Sequence, residues 1–244
     1  MPLYTLSNGE QTLKFQTMSH VASKSFYAQV QKNIRESKQE DFVLFFEWVG
    51  PWSEESLKTF NTALGVNFAD DIYTNFWNLY GVTAQNNDDF LWLINNQDYN
   101  VDLSLDEVVA IYNTKQENIS FETRENIPEE VLDINSEILE LLSHLNPREL
   151  AVVRFFNQSI MNFMIKNDSL RDTLLKQSGK TDIFSVILDD RDQYLADEIL
   201  KNEYQKIHIL YGLMHFEGVY QLLREADPRW RITETQYAQV IDSL

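Results

Sequence analysis

The chain has 244 residues and carries 20 Lys and Arg against 38 Asp and Glu, a formal net charge of −18. Such a surface repels phosphate backbones and anionic lipid, so nucleic acid and membranes are excluded as expected partners. Hydrophobic residues make up 43% and aromatic residues 13%, so a sizeable core is expected, and the absence of cysteine excludes disulfides and thiolate metal sites.

The N-terminal stretch MPLYTLSNGEQTLK lacks a basic patch followed by an apolar run, so no signal peptide is expected. No apolar stretch approaches the roughly 18 residues of a membrane span, and the expected location is the cytoplasm. Residues 12–18, TLKFQTM, alternate apolar and polar side chains and predict a half-buried strand. A short turn over 19–22 follows. From Ser23 the spacing becomes helical, with Phe26, Tyr27, Val30 and Ile34 on one face. Residues 42–46, FVLFF, form the continuous apolar run of a strand covered on both sides. Strand, helix, strand predicts a βαβ unit, for which a right-handed crossover is the rule.

Pro51 and Trp52 break the chain, and Ser53 is placed to cap a helix with Glu54 and Glu55 in its first turn and Leu57, Phe60 and Leu64 on its buried face. Residues 70–95 are aromatic-rich and expected to be helical, with a turn near Gly81 and a polar loop over 86–89. A short strand is expected at 100–102, a helix at 104–113 capped by Ser104, and a loop at 114–128. Helices are expected at 129–144 and 147–166, with Pro147 opening the second. That helix is apolar nearly all round (Val152, Val153, Phe155, Phe156, Ile160, Phe163, Met164), which predicts deep burial. Ser178 and Gly179 interrupt. A helix at 184–201, a buried strand at 207–211, a helix at 216–225 and a last sheet segment at 229–240 complete the chain. The expected fold is a single α/β domain over residues 1–244, with a mixed, mainly parallel sheet, helices on both sides, and a helical insertion at about 104–182.

No phosphate-binding P-loop, GxGxxG, GxSxG or HExxH motif is present, which directs attention to the four histidines. His20 follows the first strand, Glu47 follows FVLFF, and His215 follows the late strand with Gly212 leaving room to turn. All three fall on the rim outside the carboxyl ends of the strands, where α/β sheets collect ligands. Two imidazoles and a carboxylate suit a divalent metal with open positions for water and substrate. Each residue alone also has an ordinary structural role, as a hydrogen-bonded histidine, a cap or an ion-pair partner. His144 is expected at the surface or as a cap, and His208 in the core with its hydrogen bonds satisfied. Arg191 lies within the apolar stripe marked by Ile187, Tyr194, Leu195 and Ile199. Burial there calls for an ion pair with Glu47 or Asp102, or for a role as an electrostatic clamp on substrate. Asp102 is either a helix cap or a further acid at the site. Arg154 and Asn157 share the polar strip of helix 147–166 as a buried pair or as groups facing a cleft. The aromatics between Trp48 and Trp92 belong to the core or line a cleft for a peptide or other amphipathic substrate.

TMSH at 17–20, Glu47, DDRDQYLADEIL at 189–200 and YGLMHFEGVYQLL at 211–223 resemble the signature elements of the TraB/PrgY/GumN family. That family includes the Tiki proteases and belongs to a superfamily with ChaN-like and erythromycin-esterase-like proteins. Gly212 to His215 is similar to its second GxxH, Gly218 to its following glycine, and Arg191 to its helix arginine, with Asp192 where asparagine is usual. Thr17 stands where the first GxxH has glycine. The resemblance implies a metal-dependent hydrolase acting on peptides, with manganese or cobalt rather than zinc. His20, Glu47 and His215 would be ligands or catalytic groups, with Arg191 as an electrostatic helper. A non-catalytic peptide-binding or antagonist protein with the same fold is the alternative, as is a metal-free hydrolase with a histidine base.

Overall fold

A computed structural model describes residues 1–64, 82–86, 88–117, 144–166 and 186–240. In chain order the strands are β1 Pro2–Ser7, β2 Thr12–Met18, β3 Val21–Ala22, β4 Val43–Phe46, β5 Thr83–Ala84, β6 Tyr99–Asn100, β7 Lys206–Gly212 and β8 Arg231–Tyr237. The helices are α1 Lys24–Gln39, α2 Glu54–Leu64, the single turn α3 Asp88–Leu91, α4 Leu105–Glu117, α5 Pro147–Lys166, α6 Arg191–Lys201 and α7 Phe216–Ala226. A π-helical turn, Val186–Asp190, leads into α6, and a 3-10 turn, Leu213–His215, leads into α7.

Six strands form one mixed sheet in the order β6-β4-β7-β2-β1-β8. The β6-β4, β4-β7 and β7-β2 pairs are parallel, and the β2-β1 and β1-β8 pairs are antiparallel. The β2-α1-β4 unit is present, but its two strands are not neighbours. The late strand β7 inserts between them, with Met18 opposite Gly212 and Phe46 opposite Leu210. The carboxyl ends of β2, β7 and β4 therefore stand side by side, which is what assembles the site.

Alternation along β7 divides the core. Ile207, Ile209 and Tyr211 pack with Leu195, Ile199, Phe216 and Val219 of α6 and α7. Leu210 faces the other side and packs with Phe26, Tyr27, Val30 and Ile34 of α1. Helices thus cover both faces, which is why the central strands are apolar in both registers. Helix α1 starts where Ser23 Oγ accepts a hydrogen bond from the Phe26 amide at 3.1 Å.

Several expectations are corrected. β1 was not anticipated: PLYTLS begins with proline and has only a short apolar alternation, but it pairs with β2 through the Asn8–Gly9 turn, where Gly9 takes φ +94°. Val21–Ala22, expected as a turn, forms a two-residue ladder with Thr83–Ala84. Residues 82–95, expected to be helical around a polar loop at 86–89, hold that strand and the single turn α3, which starts inside the expected loop. α4 runs to Glu117, into the stretch expected as loop. α5 has the expected bounds, but Val152, Phe155 and Phe156 are 58%, 56% and 63% exposed. Those three side chains are not buried as expected, while the side chains of Ile160, Phe163 and Met164 lie outside what is described. The expectations for 65–81, 118–143 and 167–185, and for the Asn157 side chain, lie outside what is described. Among the described residues no helix is long and apolar enough to cross a membrane.

Candidate functional site

The site is built where β4, β7 and β2 end. Glu47, the first residue after β4, is tied to its neighbour strand by its own amide, which donates to the Leu210 carbonyl at 3.0 Å. Its carboxylate accepts from the Gly212 amide at 2.6 Å through Oε2 and from Arg191 Nη2 at 2.6 Å through Oε1. Burial pushes this carboxyl up, but the Arg191 charge and hydrogen bond, joined by His215 and His20 whenever those rings are protonated, outweigh burial and hold it below the usual carboxylate range. Glu47 is therefore an anion at neutral pH.

Arg191 opens α6 and is buried. It grips Asp102 in a two-pronged pair, Nε to Oδ1 and Nη2 to Oδ2, both at 2.8 Å. Tyr211, the penultimate residue of β7, donates its hydroxyl to Asp102 Oδ1 at 2.7 Å. Asp102 is thus enclosed by two donors, and burial raises its carboxyl pKa more than Arg191 lowers it. Both ion pairs weighed for Arg191 are present. Its side chain is 7% exposed, which leaves it poorly placed to clamp a substrate directly. Asp102 does not cap α4. That role falls to Ser104, whose amide and hydroxyl bond Glu107 Oε2 at 2.8 and 2.7 Å in a capping box.

The second pair sits across Gly212. His215 Nδ1 donates to Asp192 Oδ1 at 2.6 Å, and both residues are buried. The His215 ring meets Tyr211 edge-on, with centroids 4.9 Å apart at 89°. A carboxylate on Nδ1 places the ring proton there and leaves Nε2 as the acceptor nitrogen. Burial raises the Asp192 carboxyl pKa against the His215 hydrogen bond and charge that lower it. A Cβ built on Gly212 would lie 3.4 Å from Glu47 Oε2 and 4.0 Å from His215 Nε2, so acid and imidazole flank the same bare backbone. Gly218 is required for another reason: a Cβ there would overlap Asp192 Oδ2.

His20 is on the same rim but exposed. Its carbonyl accepts from the Gln85 amide at 2.7 Å. Thr17, at the position where the resemblance has glycine, is buried and donates its hydroxyl to the Pro2 carbonyl at 2.7 Å, tying β1 to β2. Among the described residues no three His, Asp or Glu side chains cluster as a metal-holding group. The donor types fit a divalent ion nonetheless. His215 Nε2 and Glu47 share one edge and Asp192 orients the imidazole, whereas His20, on the same rim, is not grouped with them.

Asp192 and Tyr211 were missed as site residues. Asp192 was legible only as the neighbour of Arg191 on a buried turn, and Tyr211 only as the end of an apolar strand. His144 is exposed, as expected. His208 is in the core, but neither ring nitrogen has a hydrogen-bond partner, so its bonds are not satisfied as expected. In comparisons with known proteins, no family model, curated protein or solved structure matches this chain.

Proposed function

We propose that this rim is the active site of a metal-assisted hydrolase acting on peptides. The observation that supports it is the Asp192–His215 bond, which presents Nε2 on the edge shared with the ionised Glu47. A carboxylate behind a histidine is the usual support of a metal-bound imidazole. His215 and Glu47, with His20, would hold the ion, manganese or cobalt by the family resemblance. When bound, such an ion supplies Lewis-acid polarisation of a carbonyl. In this reading Glu47 would accept a proton from water, with Arg191 keeping it ionised until it does. Arg191 and Asp102 act as positioning residues, through Glu47 and Tyr211. The exposed Trp48 and Trp52, 47% and 50% accessible and close in sequence to Glu47, offer an apolar flank for a peptide.

The test is metal binding by calorimetry with Mn²⁺ and Co²⁺, followed by cleavage of a peptide library. The wild type is expected to bind one ion, His215→Ala to lose it, and Asp192→Asn to bind it about 10–100-fold more weakly. A wild type that binds neither ion ends the metal reading. The same Asp192–His215 pair then favours a second reading, a histidine general base without metal. In that case cleavage persists in chelator and is lost in His215→Ala. No cleavage under either condition, with peptide binding retained, would leave the non-catalytic binding protein.

A further inference from the structure

The segment that leaves β4 with Glu47 goes on to an aromatic pair. Its backbone is anchored residue by residue. The Glu47 amide donates to the Leu210 carbonyl at 3.0 Å, Asn100 Nδ2 donates to the Trp48 carbonyl at 3.0 Å, and the Leu105 amide donates to the Val49 carbonyl at 2.9 Å. On that backbone the side chains of Trp48 and Trp52 remain 47% and 50% exposed. Both indoles close on Gly50: a Cβ there would lie 3.0 Å from Trp48 Nε1 and 3.5 Å from Trp52 Cζ3. A single exposed indole needs no explanation. Two that meet over one glycine on an anchored backbone form a patch, and such patches mark contact sites.

The surroundings of the pair carry charge of one sign. Ser53, next to Trp52, donates its amide and hydroxyl to Asp106 Oδ1 at 3.1 and 2.8 Å, which sets the first turns of α2 and α4 side by side. Those turns hold Glu54, Glu55, Asp106 and Glu107, all exposed. Helix dipoles, and for Glu107 the capping box with Ser104, account for acids at these positions. They do not account for the lack of counter-charge: residues 41–57 and 95–114, the two segments that meet here, contain no lysine or arginine. Indole faces and carboxylates together attract an alkylammonium or guanidinium, the first by cation–π contact and the second by their field. We propose that Trp48 and Trp52, with Glu54, Glu55 and Asp106 beside them, receive a lysine or arginine side chain of the peptide, so that basic peptides are the substrate class of the rim. This specificity rests on the rim being a peptide site, since the aromatic pair begins at the residue after Glu47.

The experiment is fluorescence anisotropy of the full-length protein with labelled hexapeptides that differ only at one central residue: arginine, lysine, citrulline, norleucine or glutamate. Citrulline keeps the shape of arginine without its charge. The arginine and lysine peptides are expected to bind about five-fold or more tightly than the citrulline and norleucine peptides, and the glutamate peptide most weakly. Trp48→Leu and Trp52→Leu should each reduce that preference by about two-fold or more at unchanged thermal stability, and Glu54→Gln combined with Glu55→Gln should do the same. Equal affinity for the arginine and citrulline peptides, measured on the wild type alone, overturns the proposal. So does a preference that survives both tryptophan variants, or no binding of any peptide. Because binding needs no turnover, the two readings fail separately. Basic peptides bound but never cut would keep this specificity and end the hydrolase, whereas cleavage without charge preference would do the reverse.

Discussion

Arg191 shows how one side chain can hold a site together without touching substrate. It lies between Glu47 and Asp102, and two buried carboxylates depend on it. Burial acts against its charge, but the two acids keep it protonated above its ordinary range. Removing it strands both anions, so Arg191→Ala is expected to cost about 3–5 kcal/mol in urea unfolding. Arg191→Lys should recover little, because an ammonium cannot reproduce a fork bonded on both prongs. Gly218 has a contrasting role, that of leaving space for Asp192. Gly218→Ala should cost about 1–3 kcal/mol through overlap with that carboxylate. Combining it with Asp192→Ala should cost less than the sum of the two, since the clash is then gone. Arg191 was legible in the sequence because a guanidinium on an apolar stripe demands a partner. Asp192 was not, because an acid beside an arginine reads as an ordinary helix N-terminus until the fold brings His215 against it.

Helix starts were the most legible elements, because a cap is a local contract between a side chain and nearby amides. Ser23, Ser53 and Ser104 all cap as the spacing suggested, with Ser53 Oγ accepting from the Ser56 amide at 3.2 Å. Ser23→Ala should lower stability by about 1 kcal/mol in thermal or urea unfolding, with α1 still packed on the sheet. Strands with continuous apolar runs were legible too. β1 was not, because its pairing comes from the turn at Asn8–Gly9 and from β8 at the far end of the chain. α5 failed in the other direction: its apolar content was read as burial, whereas Val152, Phe155 and Phe156 face outward.

At the scale of the whole molecule, the insertion of β7 between β2 and β4 carries a cost at His208. Neither of its ring nitrogens is bonded, and burial, with Lys14 and Lys38 adding to it, lowers its pKa to about 3. The unfolded chain has an imidazole near 6.5, so between these values it binds a proton that the folded chain refuses. Stability should therefore fall as pH drops from about 6.5 toward 3, by up to about 1.4 kcal/mol per pH unit, and be unaffected by this group above 6.5. Glu47, held below its ordinary value, adds a loss of the same sign only below about pH 4.5. His208→Leu should flatten the slope between pH 4.5 and 6.5 and raise stability at neutral pH by about 1–2 kcal/mol, since it removes two unsatisfied buried atoms. Urea unfolding at a series of pH values checks both.

Taken alone, the sequence determined the α/β class, the places where most of the described helices and strands begin, and the small set of polar residues at strand ends. These follow from periodicity and capping, which act over a few residues. Only the tertiary structure decided that β7 lies between β2 and β4, that Asp192 rather than solvent holds His215, and that Asp102 is sealed behind Arg191 and Tyr211. Those outcomes depend on pairing across nearly 200 residues of chain, where register and close packing choose the partners and local preference says nothing.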